Sequence, residues 1–270
     1  MANLKVEKPK KFSEFISLIE NLRKSSGSTL WYRGCGNSNY KLIPSLYRHK
    51  TIKKIETLVE NEYRIMTWFR ERSMPFHDKP LDNDLEALFF MQHYGIPTRL
   101  LDWTENPLIA LFFAVNSARY EYDNGKRSYQ SQASVWVLDP VEWNSVAVSV
   151  PGFEKKILST NDDEIRAYLP VKKFNFMQSL PAALYGIHNS PRIVAQRGVF
   201  VVFGKETLPI EDQFKRNGFP DNCLVKIVLL KSVIDDLRDS ILSSGITESV
   251  VYPDLEGLAQ ETKRKFNYGD

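Results

Sequence analysis

The chain has 270 residues and a mass of 31.2 kDa, a size at which roughly 73% of the unfolded surface is buried on folding. Its composition, 43% hydrophobic and 26% charged, is ordinary for a globular protein and excludes a disordered, collagenous or low-complexity chain. The net charge of +3, from 36 basic and 33 acidic residues, neither demands nor excludes a nucleic-acid partner, because such binders cluster their basic residues on one face.

Phe12, Phe15, Ile16, Ile19 and Leu22 recur at helical spacing, with Ser13 near the start and Gly27 past the end, and predict an amphipathic helix. Leu30 to Tyr32 reads as a short strand running into Arg33-Gly34-Cys35-Gly36, where two glycines permit a tight turn or a close approach to a ligand. The longest helix is predicted over 52–73, followed by a loop to Asp82 and a helix over 84–94 closed by Gly95. Thr98 to Thr104 is extended. Asn106-Pro107 then opens a helix that is apolar nearly all round. In the second half, Ser134–Leu138, Ile193–Ala195, Val199–Phe203, Leu224–Leu230 and Val250–Tyr252 read as strands. Glu164–Leu169 and Phe174–Leu180 are ambiguous. Helices are expected over Ser232–Leu242 and from Asp254 to Lys265. Helices early and strands late predict an α+β fold, a helical N-terminal portion with a split or mixed sheet, in one domain spanning 1–270.

Cys35 and Cys223 are too few for a disulfide framework and read as reduced thiols. The N-terminal residues carry charges and no apolar stretch, so no secretory leader is predicted. The longest apolar run, Leu108 to Val115, is too short for a membrane span. A cytoplasmic protein with no membrane partner is expected. His49, His77, His93 and His188 lie far apart and the cysteines have no zinc spacing, so no metal site is predicted. Phosphate-binding loops, dinucleotide fingerprints and hydrolase motifs are absent.

Three segments carry chemistry instead. Arg33, at a strand end beside Gly34, can present its planar fork to a phosphate or carboxylate, or make a structural ion pair. Within His93 to Thr104, Arg99 and Asp102 interrupt very apolar sequence; they either pair with each other to fix the turn or face a cavity. The helix start after Asn106 suits an anion. In Tyr252 to Gly257, Asp254 and Glu256 either cap a helix or act as catalytic acids. Gln196-Arg197-Gly198 fits a hairpin turn or bulge. The basic residues Lys53, Lys54, Arg64, Arg70 and Arg72 read as a solvated helix face or a weak nucleic-acid surface.

Taken in order, Trp31-Tyr32-Arg33-Gly34, the run Gln92 to Thr104 with Asn106-Pro107, Ala195 to Phe200 and Tyr252 to Ala259 resemble the FRG domain, named for an aromatic-Arg-Gly signature, over about 28–262. A weaker resemblance links Arg33, Thr104 and a late acid to ADP-ribosyltransferases of the Arg-Ser-Glu type, although no Ser-Thr-Ser or Glu-x-Glu loop is present. That likeness implies a transferase-like fold with NAD as substrate. It also implies a toxin or phage-defence effector acting as ADP-ribosyltransferase or glycohydrolase, with a macromolecular acceptor in the transferase case. Asp254 and Glu256 would be its catalytic acids, and Arg33, Gly34, Tyr94, Arg99, Asp102, Trp103, Thr104 and Gln196 its substrate contacts. A non-catalytic module for a protein or small anionic ligand, and a nucleic-acid binder, are the alternatives.

Overall fold

The computed structural model describes residues 2–77, 80–170, 177–187 and 190–268. Its frame is a mixed sheet in the order β1 (Lys5–Glu7), β9 (Leu224–Leu229), β6 (Ala133–Leu138), β2 (Trp31–Cys35), β3 (Leu100–Thr104), β8 (Gly198–Val202) and β7 (Ala182–Leu184). Among the described strands β1 pairs in parallel with β9 at the edge, and the other neighbours are antiparallel; Leu184 of β7 also makes an isolated parallel bridge to Leu158. The helices are α1 (Phe12–Ser26), α2 (Ile55–Ser73), α3 (Asp84–His93), α4 (Pro107–Asn116), α5 (Pro140–Ala147), α6 (Pro191–Ala195), α7 (Ile210–Arg216), α8 (Ile234–Ser243), α9 (Glu248–Val251) and α10 (Leu255–Lys265). A separate hairpin joins β4 (Tyr120–Asp123) to β5 (Lys126–Tyr129). The expected α+β class holds. Among the described residues no helix is long and apolar enough to cross a membrane, and Cys35 and Cys223 are both free and buried.

The period of two along each strand sorts the core. One face of the sheet carries Trp31, Cys35, Leu101, Trp103, Trp136, Val199 and Val201 in one continuous apolar cluster. The other face is divided. Tyr32, Val135, Val137 and Ile227 pack beneath α1, α4 and α8, whereas Leu100, Phe200 and Val202 pack beneath α3. The boundary runs between β2 and β3, which share one register pair, Tyr32 with Thr104. Each of these strands pairs over five residues with its other neighbour, so the sheet is split at this seam.

Glycine brings β2 onto α4. A Cβ on Gly34 would sit 1.9 Å from the Ala110 carbonyl oxygen, and one on Gly36 would sit 2.2 Å from that of Ser117. The glycines therefore serve backbone contact with a helix. Of the two expectations for these glycines, Gly34 makes no turn: it lies within β2, and its close approach is to α4.

Several local expectations are corrected. Ile193–Ala195 is not a strand but the end of α6, because Ser190 caps Ile193 and Pro191 takes the first helical position. Val250–Tyr252 lies across the end of the one-turn α9. The Asn124-Gly125 turn, with φ of 50° and 77°, joins β4 to β5; this hairpin signal was legible but unread. Glu164–Leu169 falls mainly in a 3₁₀ segment, Asp163–Tyr168. Phe174 to Asn175 and Phe176, like His188, lie outside the described residues.

Arg99 and Glu62 make a fully buried ion pair beneath this frame. Arg99 Nε donates to Glu62 Oε2 at 2.6 Å, Nη2 donates to the same oxygen, and the Arg99 amide donates to Oε1 at 3.1 Å. Burial opposes the charge on Arg99, yet the Glu62 carboxylate holds its pKa above the ordinary value. Removing one partner strands a buried charge. Glu62→Ala is expected to cost about 3–5 kcal/mol in urea denaturation, with much of the loss recovered in Glu62→Leu/Arg99→Met; a loss no larger than that of a surface substitution contradicts the pairing. Gly34→Ala is expected to cost at least about 1–3 kcal/mol. An unchanged unfolding midpoint would mean that β2 and α4 can separate freely.

Candidate functional site

A cavity of about 290 Å³ opens along the seam. Tyr32 and Gly34 come to it from β2, Asp102 and Thr104 from β3, and Phe200 from β8. Asp102 and Thr104 share the divided face because they lie two residues apart. Arg33 and Trp103 alternate onto the opposite face but reach the cavity where the two strands part. Above the sheet, α3 contributes Phe89, Gln92 and His93, at the spacing of one helix face. Phe113 and Ser117 come from the C-terminal end of α4, and Arg192, Ile193 and Gln196 from α6 and the turn after it.

The polar wall is ordered by a relay. Arg33 Nη1 donates to the Asp102 carbonyl oxygen and stands 4.0 Å from Asp102 Oδ2. Gln92 Nε2 donates to Asp102 Oδ2 at 2.8 Å, and Thr98 Oγ1 donates to Gln92 Oε1 at 2.5 Å. The Asp102 side chain is still 56% exposed, so its carboxylate remains open to a ligand. Thr104 Oγ1 donates to the Gln196 carbonyl at 2.6 Å, and Gln196 Nε2 donates to the Val251 carbonyl at 3.1 Å.

Two polar atoms of the lining are unpaired. The Tyr32 hydroxyl and the Trp103 indole N–H are buried and meet no hydrogen-bond partner, on residues only 1% and 3% exposed. Burial pushes the Tyr32 phenol up to about 12, against the influence of Arg23. Unpaired buried donors are costly and rare in native proteins. Burial also raises the Cys35 thiol beside Arg33, which with Lys226 works in the opposite direction.

The expected residues separate in space. Arg33, Gly34, Asp102, Trp103, Thr104 and Gln196 line the cavity. Arg99 does not: it is sealed against Glu62, so neither a ligand contact nor an Arg99–Asp102 pair is made. Tyr94 is 62% exposed, packs on Phe90 and His93, and lies outside the lining. Asp254 Oδ1 accepts from Gly257 N at 2.8 Å and caps α10, while Glu256 is exposed in the first turn; neither lines the cavity. The start of α4 is also elsewhere. Pro107 has no N–H, and Asn106 Oδ1 occupies the Leu108 N–H at 2.9 Å. The α2 basic stretch is partly tied up, with Arg70 2.8 Å from Asp84 and Arg72 3.5 Å from Glu71.

Sequence reasoning missed Arg192, His93 and Gln92 as lining residues. Arg192 was hidden by the strand expected at Ile193. The spacing of Phe89, Gln92 and His93 on one helix face was the readable signal for the other two. Arg192 also lies over the Tyr252 ring, 4.7 Å from its centroid. His93 is held below its ordinary value, first by burial and then by the positive charge of Arg192. Both causes favour the neutral ring, and an anion bound beside Arg192 would favour the protonated form. By NMR, His93 is expected to titrate below 6.5 in the free protein and to move up when the cavity is saturated with an anionic ligand. A titration unmoved by ligand would place the anion elsewhere.

Among the described residues, no group of three or more His, Cys, Asp or Glu side chains could hold a metal ion. No curated protein and no solved structure matches the chain. The family model of the FRG domain matches residues 28–123, a stretch that stops short of the two later resembling segments, 195–200 and 252–259. That stretch, similar to the FRG domain, contains Arg33 with its glycine, Gln92, Asp102, the turn from α3 to β3 and the whole of α4.

Proposed function

We propose that the cavity binds the nicotinamide–ribose end of NAD, and that the chain acts as an ADP-ribosyltransferase or NAD glycohydrolase of the toxin or phage-defence kind. One observation carries the reading: two guanidinium groups, a carboxylate and several aromatic rings converge on one cleft at a split in the sheet. Arg33 and Arg192 suit a pyrophosphate. Phe113, half-buried in the lining, suits a flat ring.

In the reaction proposed, the bond from the ribose anomeric carbon to the pyridinium nitrogen breaks. Its electron pair passes to that nitrogen and yields neutral nicotinamide. The anomeric centre becomes oxocarbenium-like, as in glycoside hydrolysis. The Asp102 carboxylate, oriented by Gln92, offers the negative charge that stabilises this centre. Water or a macromolecular acceptor then forms a bond to the anomeric carbon and gives up a proton to solvent. Asp102 takes this part because Asp254 and Glu256 lie outside the cavity.

That same placement favours a second reading, a non-catalytic module that binds the ligand without turning it over. Nicotinamide release and calorimetric binding of NAD separate the two. Wild-type protein is expected to bind and consume NAD. Asp102→Asn is expected to retain binding and lose turnover, and Arg33→Ala to weaken binding about 10- to 100-fold, the worth of one or two charge-assisted hydrogen bonds; Arg33→Lys controls for loss of the link to β3. Binding without consumption selects the second reading. A folded protein that neither binds nor consumes NAD ends the proposal.

A further inference from the structure

The cavity is too small for a whole dinucleotide, since pockets for drug-sized ligands begin near roughly 300 Å³. A second hollow of about 550 Å³ adjoins it, sharing Phe113 and Ser117 at the C-terminal end of α4. Tyr252 stands at the junction, with Arg192 on one ring face and Phe113 6.1 Å away edge-on.

Its lining has two chemical features. The first is charge: Arg127, Arg238, Lys263 and Arg264 line it against the single carboxylate of Glu248. Glu248 is already engaged by Arg264, through Nε at 2.8 and 3.0 Å and Nη2 at 2.8 Å. Arg127 is 3.1 Å from Asp235. The Arg238 guanidinium hydrogen-bonds Tyr120, while its Nε is buried without a partner. The surplus is positive and is supplied by planar forks suited to phosphate.

The second feature is Asn116, the last residue of α4. Both its amide nitrogen and its amide oxygen are buried and meet no hydrogen-bond partner. A carboxamide with donor and acceptor both unused is a standing cost to the free protein. The cost is removed by a ligand edge that offers an acceptor and a donor side by side. Adenine does so with N7 and N6, the edge to which Asn pairs in a bidentate manner. Tyr252 and Phe113 supply ring faces and edges beside it.

From this juxtaposition we infer that the second hollow is an adenylate subsite: Asn116 reads the adenine edge and Arg238 and Lys263 hold the phosphate. The inference deepens the NAD reading and rests on it for the occupant of the first cavity, but adenylate binding is measurable separately. The adenylate could be half of a dinucleotide or a free nucleotide, and the arms of one experiment distinguish these sources.

Calorimetry on the full chain would use AMP, GMP, nicotinamide mononucleotide and NAD as separate probes. AMP is expected to bind and GMP to bind at least tenfold more weakly. Asn116→Leu is expected to weaken AMP and NAD at least tenfold and to leave nicotinamide mononucleotide unchanged. Where Asn116→Leu fails to fold by circular dichroism, Lys263→Glu at the surface is expected to weaken AMP several-fold. AMP binding with no NAD or nicotinamide mononucleotide binding supports the subsite, assigns it to a free nucleotide and overturns the NAD reading alone. Nicotinamide mononucleotide binding without AMP binding overturns the subsite alone. Equal affinity for AMP and GMP, or AMP affinity unmoved in every folded variant, also overturns it.

Discussion

One register pair, Tyr32 with Thr104, joins the two halves of the sheet. β2 follows α4 because Gly34 and Gly36 admit backbone contact with that helix. β3 follows β8 and the cluster beneath α3. β2 and β3 share the apolar cluster on one face but belong to different clusters on the other, and their parting leaves edges with unused backbone groups. Arg33 answers part of that need by donating to the Asp102 carbonyl across the gap. The cleft is thus a consequence of packing.

The run from Gln92 to Thr104 acts mainly as a strap. Gly95, at φ 73°, ends α3 and turns the chain back. Thr98 holds Gln92, which holds Asp102. Arg99 anchors the strap to α2 through Glu62, and its Nη1 also donates to the Tyr168 carbonyl at 3.4 Å. Of this sequence, Gln92, His93, Asp102, Trp103 and Thr104 line the cavity, and Thr98 and Arg99 tie the run in place. A buried ion pair contributes little net stability against an apolar pair of the same volume, but it makes one geometry of the strap far cheaper than its alternatives.

The division between what could and could not be read from the residues follows the range of the interactions. Apolar periodicity and capping are local, so α1, α3, α4, α8 and α10 were legible, as were β6, β8 and β9. Local signals also compete: Ile193-Val194 looked like a strand until Ser190 and Pro191 are weighed with it. The burial of Glu62 was readable from its spacing to Leu58, Val59 and Met66 on the apolar stripe of α2; its partner was not, because Arg99 is 37 residues away. Arg33, Asp102 and Thr104 were legible as functional candidates because polar groups in apolar sequence need a reason. Asn116 was not, since nothing in its neighbours shows that its amide ends unpaired beneath a basic hollow.

Chain order and spatial order also part company at the late acids. α10 leaves α9 so tightly that a Cβ on Gly257 would sit 2.1 Å from the Tyr252 carbonyl oxygen. That contact turns Asp254 back onto its own helix start, where it caps. A carboxylate spent on a cap already satisfies the positive end of a helix, and moving it to the seam would uncap α10 and separate it from α9. Tyr252, which precedes the turn, is the residue of this segment that reaches toward the cleft, and it does so as a ring beneath Arg192. The segment therefore steadies one of the two guanidinium groups and leaves negative charge at the seam to β3. The positive charge of the cleft thus comes from Arg33 and Arg192, and its carboxylate from Asp102.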